Sequence, residues 1–157
     1  MQVILRAANP EEASQVAEVL LASRKAHLPF APWAHSDLEI HGWVRAKLIP
    51  ESAVTVAVVA SHVVGVLSVS RADRVTWVDQ LYVHPDHIGL GIGSKLLAFA
   101  LATNPAPVRL YTFQQNKLAR EFYSLHGFIE LELTDGSANE EHCPDVLYEW
   151  AVAQNAV

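Results

Sequence analysis

The sequence predicts an α/β fold of the mixed α+β type, in which about four helices flank a central mixed sheet of about seven strands. Short β-branched runs alternate with segments of helical periodicity, in the order β-α-α-β-β-β-α-β-α-β-β. Three consecutive strands in the first half favour antiparallel neighbours. Two strand–helix–strand units in the second half favour parallel neighbours joined by right-handed crossovers.

The first strand and the first helix follow from local sequence. Residues 3–7 are an apolar run of strand length. Asn9 then supplies an N-cap and Pro10 suits the first turn, followed by two glutamates where the helix dipole favours acidic residues. Apolar residues recur at helical spacing over residues 13–21, which predicts the first helix.

The second helix is predicted from its start signal. Pro29 and Pro32 interrupt the chain after the first helix. Ser36, with Glu39 three residues later, then matches a capping box, in which each side chain accepts the other residue's backbone N–H. This helix is expected to run to about residue 48.

The rest of the chain alternates strands with two further helices. Strands are predicted at residues 54–60, 63–70, 74–83, 108–113, 128–133 and 146–152, and helices from residue 91 and over residues 116–126. Ser61 and His62 separate the first two of these strands, which predicts a hairpin. Pro105 and Pro107 end the third helix, and residues 135–144 form a polar loop.

The length of the chain favours a single domain over residues 1–157. About half of the residues are hydrophobic (51%), and we find no linker, internal repeat or low-complexity tract. The net charge of −6 argues against a nucleic-acid partner, and no polybasic or long apolar segment indicates a membrane. Residues 1–6 favour a strand over a signal peptide, and the single cysteine, Cys143, fits a reducing cytoplasm.

The most informative segment is a glycine-rich turn between a predicted strand and a predicted helix. Gly89, Gly91 and Gly93 lie where the strand has ended and the helix begins. Unpaired backbone N–H groups and the positive end of the helix dipole converge at such a point, which suits a diphosphate. Glycine permits positive φ and close approach of a ligand. A turn of the same composition could also be a plain connection without a ligand.

Two other phosphate-binding motifs fit this turn less well. Counted from Gly89, the third glycine of a dinucleotide-binding motif falls on Ser94, and the strand at residues 108–113 ends without an acidic residue for the ribose. A nicotinamide-dependent oxidoreductase is therefore disfavoured. The turn also lacks the Gly-Lys-Ser/Thr ending of a Walker loop. The residues favour a diphosphate carried by a different cofactor.

Two motifs at the expected separation make the chain resemble the GCN5-related N-acetyltransferases, the GNAT family. The family's central motif is Gln or Arg, two residues, Gly, one residue, then Gly or Ala, and it falls on residues 88–93. The preceding residues 81–85 read Leu-Tyr-Val-His-Pro, close to the family's Leu-Tyr-Val-x-Pro. The family's next helix and strand are matched by Asn116, Ala119, Phe122, Tyr123, Gly127 and Phe128. The match covers about residues 78–128 and implies the acyl-CoA N-acyltransferase fold.

One position departs from the family pattern. Ile88 stands where the family usually has glutamine or arginine. The family binds the cofactor diphosphate largely through backbone N–H groups, so binding remains possible while a side-chain contribution is lost. A non-catalytic acyl-CoA-binding or sensor module of the same fold is therefore the alternative to an enzyme.

The resemblance implies a function and a set of site residues. The chain would transfer the acetyl group of acetyl-CoA, without a metal, to a primary amine of a small molecule, a peptide or a protein, and a homodimer is possible. Cofactor contacts would come from Leu81, Tyr82, Val83, Ile88, Gly89, Leu90, Gly91, Ile92, Gly93, Ser94, Asn116, Arg120 and Tyr123. For Arg120, a solvated helix charge is the alternative.

Three residues would carry the chemistry. The Val83 N–H would stabilise the developing oxyanion, and Tyr123 would protonate the leaving thiolate as general acid. Asp79 would act as general base, directly or through water. Tyr123 could instead only pack beside Phe122, and Asp79 could instead pair with a nearby arginine, Arg71 or Arg74.

The family resemblance puts the acceptor between the early helices and the last strands. Residues 27–35 are aromatic and apolar, whereas residues 135–142 are acidic and could attract a cationic amine or be simply solvated. His35, Asp37, His41, His142 and Cys143 do not show zinc-binding spacing, so we expect no metal.

Overall fold

The computed structural model describes residues 1–31 and 33–151, which form one mixed sheet with helices on both faces. Its strands are β1 (Ile4–Ala7), β2 (Ala53–Val59), β3 (His62–Ala72), β4 (Val75–Val83), β5 (Val108–Phe113), β6 (Ile129–Leu133) and β7 (Asp145–Trp150). Its α-helices are α1 (Ala13–His27), α2 (Asp37–Trp43), α3 (Ile49–Glu51), α4 (Ile92–Thr103) and α5 (Lys117–Leu125). The π-helical turn Val44–Leu48 joins α2 to α3 into one continuous helix.

The described residues therefore contain seven strands and four helices in the predicted order, and the predicted fold class is confirmed. Residue 152 of the predicted last strand and Pro32 lie outside the described residues. No helix within the described ranges is long and apolar enough to cross a membrane.

Local signals account for most of the element boundaries. The Ser36 hydroxyl accepts the Glu39 N–H at 3.2 Å and Glu39 accepts the Ser36 N–H at 3.1 Å, as the capping box predicts. The β2–β3 turn consists of Ala60 and Ser61, both at positive φ, one residue earlier than predicted. This shift pairs Val59 with His62 and closes a tight two-residue hairpin.

The strand order is β1-β2-β3-β4-β5-β7-β6. Strands β1 to β4 are antiparallel, and β4 and β5 are the parallel pair expected from the first strand–helix–strand unit. The second unit does not yield parallel neighbours, because β7 lies between β5 and β6 and is antiparallel to both. The residues of the two strands explain this correction. The apolar run of residues 146–148 suits β7 to a buried central position, whereas β6 alternates apolar residues with glutamates and lies exposed at the edge.

Two hydrophobic clusters cover the two faces of the sheet. One packs α1 and the α2–α3 helix against β2 and β3, and Tyr82 contacts it. The other packs α4 and Tyr123 against β3, β5 and β7, and Leu81 and Val83 contact it. Alternate side chains at the end of β4 are therefore anchored on opposite faces, which fixes the orientation of the backbone between them.

Candidate active site

The dominant feature of the sheet is a cleft where β4 and β5 separate. The two strands pair only at Thr76 with Val108 and at Trp77 with Arg109, although β4 runs on to Val83. Beyond these pairs the strands diverge, leaving a cleft of about 900 Å³. The cleft is lined by β4, β5, the glycine turn, α5 and the end of α1. A splayed parallel pair exposes backbone hydrogen-bonding groups along one edge of each strand.

Two amides of β4 point into this cleft. The His84 N–H donates to the Val64 carbonyl at 2.8 Å, and Tyr82 is opposite Val66 in the same antiparallel register. In an antiparallel pair, every second residue directs its N–H toward the partner strand. Tyr82 and His84 therefore donate to β3, and the N–H groups of Leu81 and Val83 face the cleft.

The glycine turn closes one end of the cleft. Gly89 and Gly91 both have positive φ, near +80°, and Gly91 is the N-cap of α4. The first backbone bond into the helix runs from the Lys95 N–H to the Gly91 carbonyl at 3.1 Å. Within the described residues, no acceptor is found for the N–H groups of residues 89–94. A Cβ built at Gly89 or Gly91 would meet nothing within 4 Å, so this concave turn has room for an anion.

Tyr123 lies in the cleft wall on α5. It is 8% exposed, and its ring packs edge-on against Phe122 and Phe128 and tilted against Tyr148. Burial raises the pKa of its phenol well above the usual value, and the nearby Tyr82 adds to this. The hydroxyl therefore stays protonated at physiological pH and can act as a proton donor.

Asn116 begins the helix that carries Tyr123. Its side-chain oxygen accepts the Ala119 N–H at 3.2 Å, which caps α5. Asn116 also lines the cleft, and its amide nitrogen donates no hydrogen bond within the described residues. One end of this side chain thus orients the helix while the other can contact a ligand.

Asp79 lies in the cleft wall at a β-bulge. Ser68 pairs with Gln80 and Val69 pairs with Val78, so Asp79 is the extra residue of β4. The bulge interrupts the regular alternation of side chains between the two faces of β4. The Asp79 side chain reaches solvent, yet the surrounding protein removes part of its hydration and raises the pKa of the carboxyl, against the opposing effect of Ser70. It forms no ion pair with a described residue.

Two of the predicted cofactor residues do not line the cleft. The Arg120 guanidinium pairs with Glu130 and donates to the Tyr148 hydroxyl and the Gln114 carbonyl, at 3.3 and 3.2 Å. These contacts direct the side chain toward β6 and β7, so the structure does not support a phosphate contact for Arg120. Leu90 lies within the turn, between Gly89 and Gly91, but its side chain is half exposed and is likewise absent from the cleft wall. The other predicted site residues all line the cleft.

The end of the cleft opposite the glycine turn contains a buried charge that sequence reasoning missed. Arg24 is 5% exposed, pairs with Glu141 at 2.9 Å, and stacks over the Trp33 ring at 3.9 Å. It also donates to the Tyr82 hydroxyl at 3.3 Å. A usable signal exists, because Arg24 follows Leu20 by four residues and therefore continues the buried stripe of α1.

The two acceptor-side segments named from the sequence meet in the structure. His35 contacts Glu140 at 3.2 Å, and Glu141 reaches across to α1 through Arg24. These contacts hold the acidic loop against the aromatic segment. Across residues 1–31 and 33–151, no group of three or more His, Cys, Asp and Glu side chains is placed to hold a metal ion.

Comparison with known proteins identifies the class to which this fold and cleft belong. Residues 50–130 match the model of the acetyltransferase (GNAT) domain, which is just over half of the 157 residues. The chain belongs to the GNAT acetyltransferase family, and the resemblance inferred from its two motifs is confirmed. No curated protein matches the sequence.

Solved structures show the same fold at low sequence identity. The apo form of YjaB from Escherichia coli is 24% identical, with 96% of this chain and 98% of that chain covered at a TM-score of 0.76. The PaiA N-acetyltransferase of Thermoplasma acidophilum, solved in complex with coenzyme A, is 23% identical. The match covers 96% of this chain and 99% of that chain at a TM-score of 0.76. An acetyltransferase from Thermus thermophilus is 16% identical, and the match covers 97% of this chain and 98% of that chain at a TM-score of 0.77. These likenesses confirm the acyl-CoA N-acyltransferase fold.

Proposed function

We propose that this chain is an acetyl-CoA-dependent N-acetyltransferase that moves the acetyl group directly to a primary amine. One observation carries the proposal: a single cleft joins an open helix N-terminus, two free strand amides and a buried phenol. The amides are those of Leu81 and Val83, and the phenol is that of Tyr123. Each group suits a different part of the cosubstrate, in the order diphosphate, pantetheine and thioester.

Cofactor binding is assigned to backbone groups. The N–H groups of residues 89–94 lack partners among the described residues and lie at the positive end of α4, so they can hold the diphosphate. The pantetheine arm carries amides and can pair with the free edge of β4 as an added strand would. Asn116 is placed to donate to the same arm. The coenzyme A complex of the PaiA N-acetyltransferase supports this choice of cofactor by analogy.

The proposed chemistry uses three groups in the middle of the cleft. The Val83 N–H stabilises the oxyanion as the amine nitrogen bonds to the acetyl carbon. The C–S bond breaks, and Tyr123 gives its proton to the departing thiolate. The proton lost by the amine passes to Asp79, directly or through water. Partial burial raises the pKa of Asp79 and makes it a better base than an ordinary carboxylate.

The acceptor end favours a cationic amine over an anion. Among the described residues, Asp79, Glu141 and Asp145 line the cleft with one arginine, Arg24, whose charge is already matched by Glu141. The excess of carboxylates attracts a positively charged group. The acceptor is therefore proposed to be an amine of a small molecule or of a peptide chain.

One observation favours a second function, a non-catalytic acyl-CoA-binding module. Ile88 is 51% exposed in the turn and offers no polar group where the family usually has one. A binding module needs the cleft but not proton transfer, so turnover separates the two functions.

The first experiment compares acetyl-CoA, coenzyme A, NAD and ATP in thermal unfolding. A ligand at about a hundred times its Kd stabilises a protein by ~2.7 kcal/mol, which this method detects easily. Stabilisation by acetyl-CoA and coenzyme A alone supports the cofactor assignment. Release of free thiol with any member of an amine panel then supports the enzyme. Binding without thiol release across the panel favours the binding module, and no binding of either compound rejects both functions.

A further inference from the structure

A histidine outside the predicted site is bonded to the diphosphate-binding turn. His126 lies directly after α5, and its Nε2 is 3.0 Å from the Ser94 hydroxyl on the first turn of α4. Its Nδ1 is 2.7 Å from the Phe122 carbonyl, and its ring lies 4.3 Å from the Phe122 ring. The imidazole is thus held at both nitrogens. Of its two hydrogen-bond partners, Ser94 is the one that lies outside α5, and it lines the cleft.

The chemistry of these partners determines the direction of both hydrogen bonds. A backbone carbonyl only accepts, so Nδ1 carries the proton. In the neutral imidazole, Nε2 is then an acceptor, and the Ser94 hydroxyl must donate to it. The hydroxyl proton is therefore directed toward His126, and the lone pairs of Ser94 remain for the cleft. In this state Ser94 cannot donate to an anion held by the turn.

We propose that protonation of His126 reverses this bond and so couples diphosphate binding at the α4 turn to the uptake of one proton. Protonated Nε2 donates to Ser94, and the Ser94 hydroxyl is released to donate to a phosphate oxygen. His126 acts through Ser94 and is a positioning residue. The inference rests on the proposed function, because it takes the diphosphate of coenzyme A as the ligand of the turn.

The pair lies where two helices end, since His126 follows the C-terminus of α5 and Ser94 is on the first turn of α4. The N-terminus of α4 stabilises the bound anion. The charged and titratable side chains on the surrounding elements are those of Lys95 on α4, of Lys117, Arg120, Glu121 and Tyr123 on α5, and of His84, Asp86 and His87 on the turn before Gly89. Within the described residues, none of these side chains is hydrogen-bonded to the side chain of Ser94 or His126.

Calorimetry of coenzyme A and dephospho-coenzyme A across about pH 5.5 to 8 tests the inference. Dephospho-coenzyme A lacks the 3′-phosphate, whose own ionisation would otherwise contribute. We expect the affinity of both ligands to rise by up to about tenfold as the pH falls, since a charge-assisted bond replaces a neutral one. Proton uptake should appear as a dependence of the binding heat on the buffer.

Substitutions test whether the pH dependence of coenzyme A binding comes from Ser94 and His126. In His126→Gln the side chain keeps polar atoms near Ser94 but does not titrate, so binding should become independent of pH. Ser94→Ala should lose the pH dependence and bind at the weaker level. The controls are His62→Gln, an exposed histidine outside the cleft, and His87→Gln, a histidine that lines it. Both should keep the pH-dependent component that Ser94 and His126 provide.

Three results would contradict the inference and leave the proposed function unchanged. These are tight coenzyme A binding with no proton uptake, an unchanged pH dependence in His126→Gln, and loss of the dependence in His87→Gln alone. Absence of coenzyme A binding at every pH rejects the proposed function instead. The tautomer is then still testable, because nitrogen NMR of the free protein near pH 8 must show His126 protonated at Nδ1, and protonation at Nε2 overturns the inference.

Discussion

Trp77 pairs with Arg109, and this is the last backbone pair that joins β4 to β5. The Trp77 ring stacks on Tyr111 with 5.7 Å between ring centroids and 6° between their planes, at the apex of the cleft. The strands are therefore clamped at one end and separate at the other. The cleft, the two free amides that face it and its extension to the N-terminus of α4 all follow from that divergence.

The free edge of β4 provides the first prediction. Acetyl-CoA should slow hydrogen exchange at the amides of Leu81 and Val83, because the pantetheine arm pairs with them. The amide of Tyr82 is an internal control, since it already faces β3 and its exchange should change little. Residue-resolved exchange measured by NMR distinguishes this pattern from uniform protection of the strand, which would argue against pairing along the edge.

Gly91 should be required for its conformation and not for space. Its φ of +80° disfavours any L side chain, whereas a Cβ there would meet no atom within 4 Å. Gly91→Ala should therefore lower the free energy of unfolding by about 1 kcal/mol and weaken coenzyme A binding. Denaturant unfolding and calorimetry measure the two effects.

Gly42→Ala is the matched control for that change. Gly42 lies inside α2, without positive φ and with nothing within 4 Å of the added Cβ. Alanine should stabilise this helix by about 0.5–1 kcal/mol and leave coenzyme A binding unchanged. Equal losses in both variants would show that the turn has no special conformational requirement.

Tyr123→Phe should lower kcat by about 10²- to 10⁴-fold while the Kd for coenzyme A stays nearly constant, because only proton transfer is lost. Tyr111→Phe removes a hydroxyl elsewhere in the same cleft and should leave kcat nearly unchanged. Burial raises the pKa of Tyr123, so the protonated donor persists to higher pH than a free phenol. The rate profile should therefore show no loss due to Tyr123 below about pH 10.

The acidic side of the rate profile should report Asp79. A base works only when deprotonated, and the pKa of Asp79 is raised by partial burial. Activity should therefore fall, as the pH drops, at a higher pH than the ~3.9 of a free aspartate side chain. Asp79→Asn should remove this fall in activity, the acidic limb of the rate profile, and should lower kcat across the neutral range. An unchanged limb in Asp79→Asn would assign the base to another group.

Much of the fold follows from local patterns, and those predictions are confirmed. The capping box of Ser36 and Glu39, the β-branched runs and the glycine turn depend on neighbouring residues, whose interactions a sequence displays directly. The family motif also lies within one short stretch, residues 88–93, and the comparisons confirm the family. The roles of Tyr123, Asp79 and Val83 remain predictions.

Local sequence patterns could not predict contacts between residues that are far apart in the chain. The insertion of β7 between β5 and β6 depends on which strand buries more surface, and the bulge at Asp79 depends on the register against β3. The Arg24–Glu141 pair joins positions 117 residues apart. For such pairs the loop-closure entropy is offset only by the combined packing of the whole sheet, so no single segment encodes them.

The sequence by itself determined the order of the elements, the glycine turn and the family, because each depends on residues that are adjacent or regularly spaced. Only the tertiary structure decided that β4 and β5 part after Trp77 and Arg109, and that His126 meets Ser94 across 32 positions. The physical reason is that a cleft is the space between elements, and its shape depends on how segments distant in the chain pack together.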